Sequence, residues 1–117
     1  KPRWFNHEAE AEWDRVVPEL HRLGLLTRID RAALAAYCTQ WARLVRAEAH
    51  LDKYGDVLTQ QTADGKIERV ADPYVAIADR CAQRIRMFCG EFGLTPSARS
   101  RMQLPGEVPV DRFRAGV

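Results

Sequence analysis

Between Asp30 and Tyr54 the chain runs 25 residues without a glycine or a proline, and the run stops at Gly55. At 1.5 Å per residue this makes a single helix of roughly 37 Å, long for so small a domain. Thr27 and Asp30 both offer N-caps for it. Leu34, Tyr37, Cys38, Trp41, Leu44, Val45 and Leu51 recur at helical spacing and predict its core stripe. A helix longer than the globule it serves packs against other chains as well as its own, so the segment predicts an oligomer. Glu48 falls on the apolar side, between Trp41/Val45 and Leu51. A carboxylate there either pairs with an Arg of the first helix or of another subunit, or marks a level where the helix is wet.

Ahead of this helix, Asn6 is a plausible N-cap followed by Glu8, Glu10, Glu12 and Asp14, which suit the positive end of a helix dipole. Trp13, Val16, Val17, Leu20 and Leu23 then continue the spacing to Gly24, with Trp4 and Phe5 placed to staple the start. Pro18 lies inside the pattern and predicts a kink, or a break into two short helices near Val17. After the long helix, Val57-Leu58-Thr59 and residues 66–70 flank Thr62-Ala63-Asp64-Gly65, which reads as a β-hairpin projecting from one end of the helix pair. Asp72-Pro73 then opens a third helix with Tyr74, Ile77, Ala78, Cys81, Ile85, Phe88 and Phe92 on its apolar face and Gly93 as its stop.

Thr95-Pro96-Ser97 repeats the cap-plus-proline signature and starts a short basic helix. From Gln103 to Val117, Pro105, Gly106, Pro109 and Gly116 interrupt any periodicity. The fold expected is mainly α: a kinked N-terminal helix, a long antiparallel helix pair joined by a β-hairpin, and a short C-terminal helix, in a ring-forming subunit. Residues 1–102 form the helical domain and residues 103–117 an extended arm.

Composition narrows the chemistry. A chain of 117 residues supports one core without a disulfide or metal staple. Its net charge of +2 excludes a histone-like polycation and an acidic solvating tail. Of its 18 basic residues 15 are Arg, which fits phosphate forks and ion pairs but also follows from a GC-rich genome. Cys38, Cys81 and Cys89 form no C-x-x-C pair, and His7, His21 and His50 show no ligand spacing, so neither a disulfide framework nor zinc is expected. Cys38 and Cys81 read as buried thiols. No apolar run approaches the ~18 residues of a membrane span and no signal peptide opens the chain. A cytosolic protein is the expectation, with an N-terminus trimmed or incomplete because the first residue is Lys. Phosphate-loop, dinucleotide and H-E-x-x-H motifs are absent, with His7-Glu8 only a fragment of the last. The expectation is a non-catalytic chain without a cofactor.

Two basic groups stand out. Thr39, Arg43, Arg46, His50 and Lys53 follow a 4-3-4-3 spacing that gathers them within a sector of about 80°. Such a row matches a phosphate backbone or an acidic partner, against the plainer reading of a solvated face ion-paired to Glu48 or Asp52. Arg80, Arg84 and Arg86 lie off the core face of the third helix. With Arg99 and Arg101 they oppose only Asp79 and Glu91. This second group is a DNA-contacting surface or a solvated or subunit-pairing face.

The order of these features resembles a known family. Trp4-Phe5, Glu12-Trp13, Val17-Pro18-Glu19-Leu20, Gly24-Leu25-Leu26-Thr27 with Asp30, Tyr37-Cys38, Asp72-Pro73-Tyr74 and finally Phe92-Gly93-Leu94-Thr95-Pro96-Ser97-Ala98-Arg99 look like the small subunit of a tailed-phage terminase. The resemblance covers about residues 4–102, and its last motif, Phe-Gly-Leu-Thr-Pro-x-x-Arg, is the specific part. Asp72 stands where the family often has Asn, an exchange between capping residues. The resemblance implies viral DNA packaging in the host cytoplasm by a homo-oligomeric ring that binds duplex genome DNA. It also implies recruitment of a large subunit holding the ATPase and nuclease. Leu104, Val108, Val110 and Phe113 of the arm are then candidate anchors for that large subunit, or for the ring itself. The family's DNA contacts vary, so Arg43, Arg46, Lys53, Arg80, Arg84, Arg86, Arg99 and Arg101 rest on spacing and charge alone. A helix-turn-helix regulator, for which a 25-residue recognition helix is unusually long, and an adaptor without a nucleic-acid role are the alternatives.

Overall fold

The computed structural model describes residues 1–94. Helix α1 spans His7–Arg22, a 3-10 turn spans Leu26–Arg28, and helix α2 spans Arg31–Tyr54. Strands β1 (Val57–Gln61) and β2 (Ile67–Ala71) follow, then helix α3 (Pro73–Glu91). The short C-terminal helix expected from Thr95, the Phe-Gly-Leu-Thr-Pro-x-x-Arg motif beyond Leu94, and the arm 103–117 lie outside the described residues.

Each helix begins on the residue whose side chain can accept an orphan N–H. Asn6 Oδ1 accepts from Ala9 N at 2.9 Å, Asp30 Oδ1 from Ala32 N at 2.7 Å, and Asp72 Oδ1 from Tyr74 N at 2.9 Å. Of the two caps open to α2, Asp30 is the one used. The C-terminus of α1 closes with Gly24 at φ 72° and a Leu25 N–H donating to Leu20 O at 2.9 Å. That left-handed step carries the Leu25 side chain into the core at 0% exposure. Helix α3 ends the same way, with Gly93 at φ 75° and Leu94 N–H donating to Cys89 O at 2.9 Å.

Pro18 does not divide α1. The helix runs unbroken through it, which corrects the reading of two short helices. Val16 and Leu20, on either side of the proline, are both buried in the core, and that packing holds the helix together across its missing hydrogen bond. The core gathers Val16 and Leu20 of α1, Leu23 and Leu25 just after it, Leu34, Tyr37, Cys38 and Ala42 of α2, and Phe92 at the C-cap of α3. Full burial of each Leu contributes about 2 kcal/mol.

Tyr37 of α2 meets Phe88 and Phe92 near the end of α3, while His50 near the end of α2 meets Tyr74 at the start of α3. The two helices therefore run antiparallel. Beyond α1 the pair buries only small residues, Ala47, Ala78 and Cys81. Trp41, Leu44, Val45 and Leu51, expected in the core, are half-buried. Helix α2 is flanked on two sides, and its most deeply buried residues are Cys38, Ala47, Ala42 and Leu34. Glu48 is exposed within one chain, so it needs no partner from the first helix.

The hairpin pairs β1 and β2 antiparallel, with Val57 opposite Ala71 and Gln61 opposite Ile67. Its turn closes through Thr62 N–H to Lys66 O at 2.7 Å and Gly65 at φ 86°. Leu58 and Val70 face each other half-buried, whereas Val57 and Ile67 on the opposite face are exposed. Asp72 N–H donates to Asp56 O at 2.8 Å and ties the strands to the base of α3.

Candidate nucleic-acid interface

Arg43, Arg46 and Lys53 are exposed along α2. Arg43 makes no ion pair with any described residue, and Lys53 lies 5.2 Å from the centroid of the Tyr54 ring. Arg46 approaches Glu8 at 3.5 Å, a different partner from the Glu48 or Asp52 expected from spacing. Glu8 Oε2 is buried with no hydrogen bond among the described residues, so the pair is an electrostatic contact that does not lock the guanidinium.

His50 does not belong to this exposed row. Its Nε2 sits 2.7 Å from Asp72 Oδ2 and its ring stacks on Tyr74 at 4.0 Å, so it joins α2 to the cap of α3. The Tyr74 N–H and the His50 contact hold the Asp72 carboxyl below its ordinary pKa. Thr39 is half-buried, its hydroxyl donating to Ala35 O at 3.0 Å. What remains on the surface is a pair of arginines one turn apart, with Lys53 two turns further on.

A cleft of about 300 Å³ opens beside the arginine pair, lined by Trp4, Phe5, Asn6, Ala9, Thr39, Ala42, Arg43 and Arg46. The N-terminal segment forms its rim. Phe5 packs edge-on against Trp13 at 5.7 Å, and Trp4 edge-on against Phe5 at 5.0 Å. This chain of rings staples the start of α1 as expected, yet it leaves Trp4 65% exposed. Helical spacing cannot place Trp4 next to Arg43, because the juxtaposition comes from packing α1 across α2.

The second basic group splits. Arg80, Arg84 and Arg86 are exposed on α3 and make no ion pair with any described residue. Arg80 and Arg84 share a flank, but at 3.6 residues per turn Arg86 falls about 120–160° around the helix from them. One DNA backbone cannot follow all three on a single helix face. Arg99 and Arg101 lie outside the described residues, as do Leu104, Val108, Val110 and Phe113.

The buried carboxylate that sequence reading missed is Glu12. Both of its oxygens accept from Arg15 at 2.7 Å, and Oε2 also accepts from Tyr37 Oη at 2.5 Å. Burial, then the Glu12 carboxylate, hold the Tyr37 phenol protonated well above its usual range. The same two influences push the Cys38 thiol up to about 12. A satisfied carboxylate and a protonated thiol offer no nucleophile, and their work is to lock α1 onto α2. Among the described residues no cluster of three His, Cys, Asp or Glu side chains could hold a metal ion. No described helix is long and apolar enough to cross a membrane.

Comparison with curated proteins and with solved structures finds no match. A family model described as phage terminase, small subunit, matches residues 9–108, most of the chain: α1 from its third residue onward and all of α2, the hairpin and α3. The chain belongs to the phage terminase small-subunit family, whose work is phage DNA packaging and whose members are in general the non-catalytic subunit.

Proposed function

We propose that this chain is the DNA-engaging, non-catalytic subunit of a phage packaging complex. It works in the host cytoplasm as a homo-oligomeric ring and delivers duplex genome DNA to a large ATPase and nuclease subunit. Family membership carries the packaging role. The observation that carries DNA contact is the α2 surface, where, among the described residues, Arg43 has no ion pair and Arg46 has only a loose one. Half-buried Trp41, Leu44, Val45 and Leu51 supply a reason for assembly, since the upper half of the α2–α3 pair has little to pack on within one chain. A subunit of net charge +2 holds a duplex weakly, but a ring repeats its arginines and sums their contacts.

The test is duplex binding at a series of salt concentrations. Each phosphate contact contributes about 0.9 to the slope of log affinity against log salt. The double variant Arg43→Glu/Arg46→Glu should flatten that slope with the oligomer mass unchanged. An unaltered slope would move the contact to Arg80/Arg84 or to Arg86. The arm 103–117 is proposed to recruit the large subunit through Leu104, Val108, Val110 and Phe113. Deleting the arm should leave DNA binding intact and reduce stimulation of the large subunit.

A further inference from the structure

The cleft beside Arg43 and Arg46 has the wrong shape for an intact double helix. A duplex is met by a convex element entering a groove or by an open surface tracking its backbone. This site is concave, and its volume of about 300 Å³ lies at the lower end of small-ligand sites. Its polar lining is Arg43 and Arg46 one turn apart, donors suited to a phosphate, with Thr39 and Asn6, and Ala9 and Ala42 supply small apolar wall. Its rim is an indole 65% exposed, held edge-on by Phe5, which is in turn held by Trp13. The indole is thus held by the Phe5 ring, itself backed by Trp13, while much of its own surface stays open to solvent. Packing explains Phe5 and Trp13, but it does not explain an open indole next to two cations.

An aromatic face next to a basic wall is the arrangement that holds one unpaired nucleotide, with the base stacked and the phosphate paired. Arg46 is available for this, since its 3.5 Å approach to Glu8 leaves the Glu8 oxygen without a hydrogen bond. We propose that the Trp4/Arg43/Arg46 cleft binds a single unpaired nucleotide of a DNA strand, stacking its base on Trp4 and pairing its phosphate with the two arginines. The ligand class rests on the DNA-binding reading above, and the site adds to it a preference for strand that is open, frayed or single.

The experiment titrates the full chain with a fluorescent single-stranded oligothymidine and with a duplex of equal length, at one low salt concentration, following anisotropy. Deoxythymidine monophosphate competes in a separate arm. Trp4→Ala should weaken single-strand binding about tenfold and leave duplex binding within about twofold, while Trp4→Phe restores most of the loss. Arg43→Glu/Arg46→Glu should weaken both ligands. Helicity and melting temperature of each variant are read alongside, because Phe5 and Trp13 keep the staple when Trp4 is truncated. Single-strand affinity unchanged in Trp4→Ala, or lost in equal measure for both ligands, would overturn the inference while leaving duplex binding established. Competition by the mononucleotide as strong as that of the oligomer would also overturn it, by assigning the cleft to free nucleotides. Single-strand binding that depends on Trp4 without any duplex binding would sustain the cleft and sink the duplex reading instead.

Discussion

Glu12 has a side chain only 2% exposed, yet it is fully answered by the Arg15 fork and the Tyr37 hydroxyl. Arg15 is itself 66% exposed, so the pair costs less than a buried one, because the guanidinium keeps much of its water. Removing the acceptor strands the Tyr37 hydroxyl in the core, whereas removing the hydroxyl leaves Glu12 still bound to Arg15. Tyr37→Phe should therefore cost about 1 kcal/mol, and Glu12→Ala about 3 kcal/mol. Urea denaturation of the two variants reads the difference, and equal losses would contradict this ordering. Nothing local marks Glu12 in the sequence. It stands in a run of carboxylates suited to a helix start, and its burial follows from Tyr37, 25 residues further on. Glu48, placed on the apolar side by its spacing, is exposed within one chain, since a stripe drawn on one helix assumes one packing face and α2 has two. Arg43 and Arg46 could be read from their spacing, but Trp4 as their neighbour could not.

At the scale of elements, helix ends were the most legible feature, because a cap is a local exchange between one side chain and an N–H two or three residues on. Asp72 carries more than its cap. It also holds His50, so the end of α2 and the start of α3 share one carboxylate. A carboxyl depressed in the folded state stabilises fully above its unfolded pKa, near 3.8, and that contribution is lost as pH falls through the lower folded value. Helicity should hold at pH 5 and decline below pH 3.8. Asp72→Asn, which keeps a capping oxygen but cannot titrate, should show a shallower decline than the parent on the same acid titration. Pro18 makes the opposite case, a residue that works against its element. It is exposed and removes one helical hydrogen bond from α1, so Pro18→Ala should raise stability by about 2 kcal/mol, read as a higher urea midpoint. Its failure to break α1 was not legible, because the core contacts of Val16 and Leu20 outweigh a local preference.

For the whole molecule, the described residues leave an antiparallel pair whose upper half is supported by alanines and a cysteine, topped by a two-stranded hairpin with Val57 and Ile67 exposed. A two-stranded hairpin is marginal alone, and half-buried Trp41, Leu44, Val45 and Leu51 ask for a further layer. The length of α2 predicts the same layer from the sequence, and the small-residue packing of the pair beyond α1 supports the proposal of assembly. Head-to-tail contact between identical subunits would supply the layer and close a ring, placing each copy's Arg43 and Arg46 in a repeating array. The central claim is that this packaging subunit acts as an assembled ring. Light-scattering mass in solution at micromolar concentration tests it most directly. The account predicts one species with a mass several times the 13.3 kDa subunit, retained when duplex DNA binds. A 13.3 kDa monomer that persists with DNA present would contradict it.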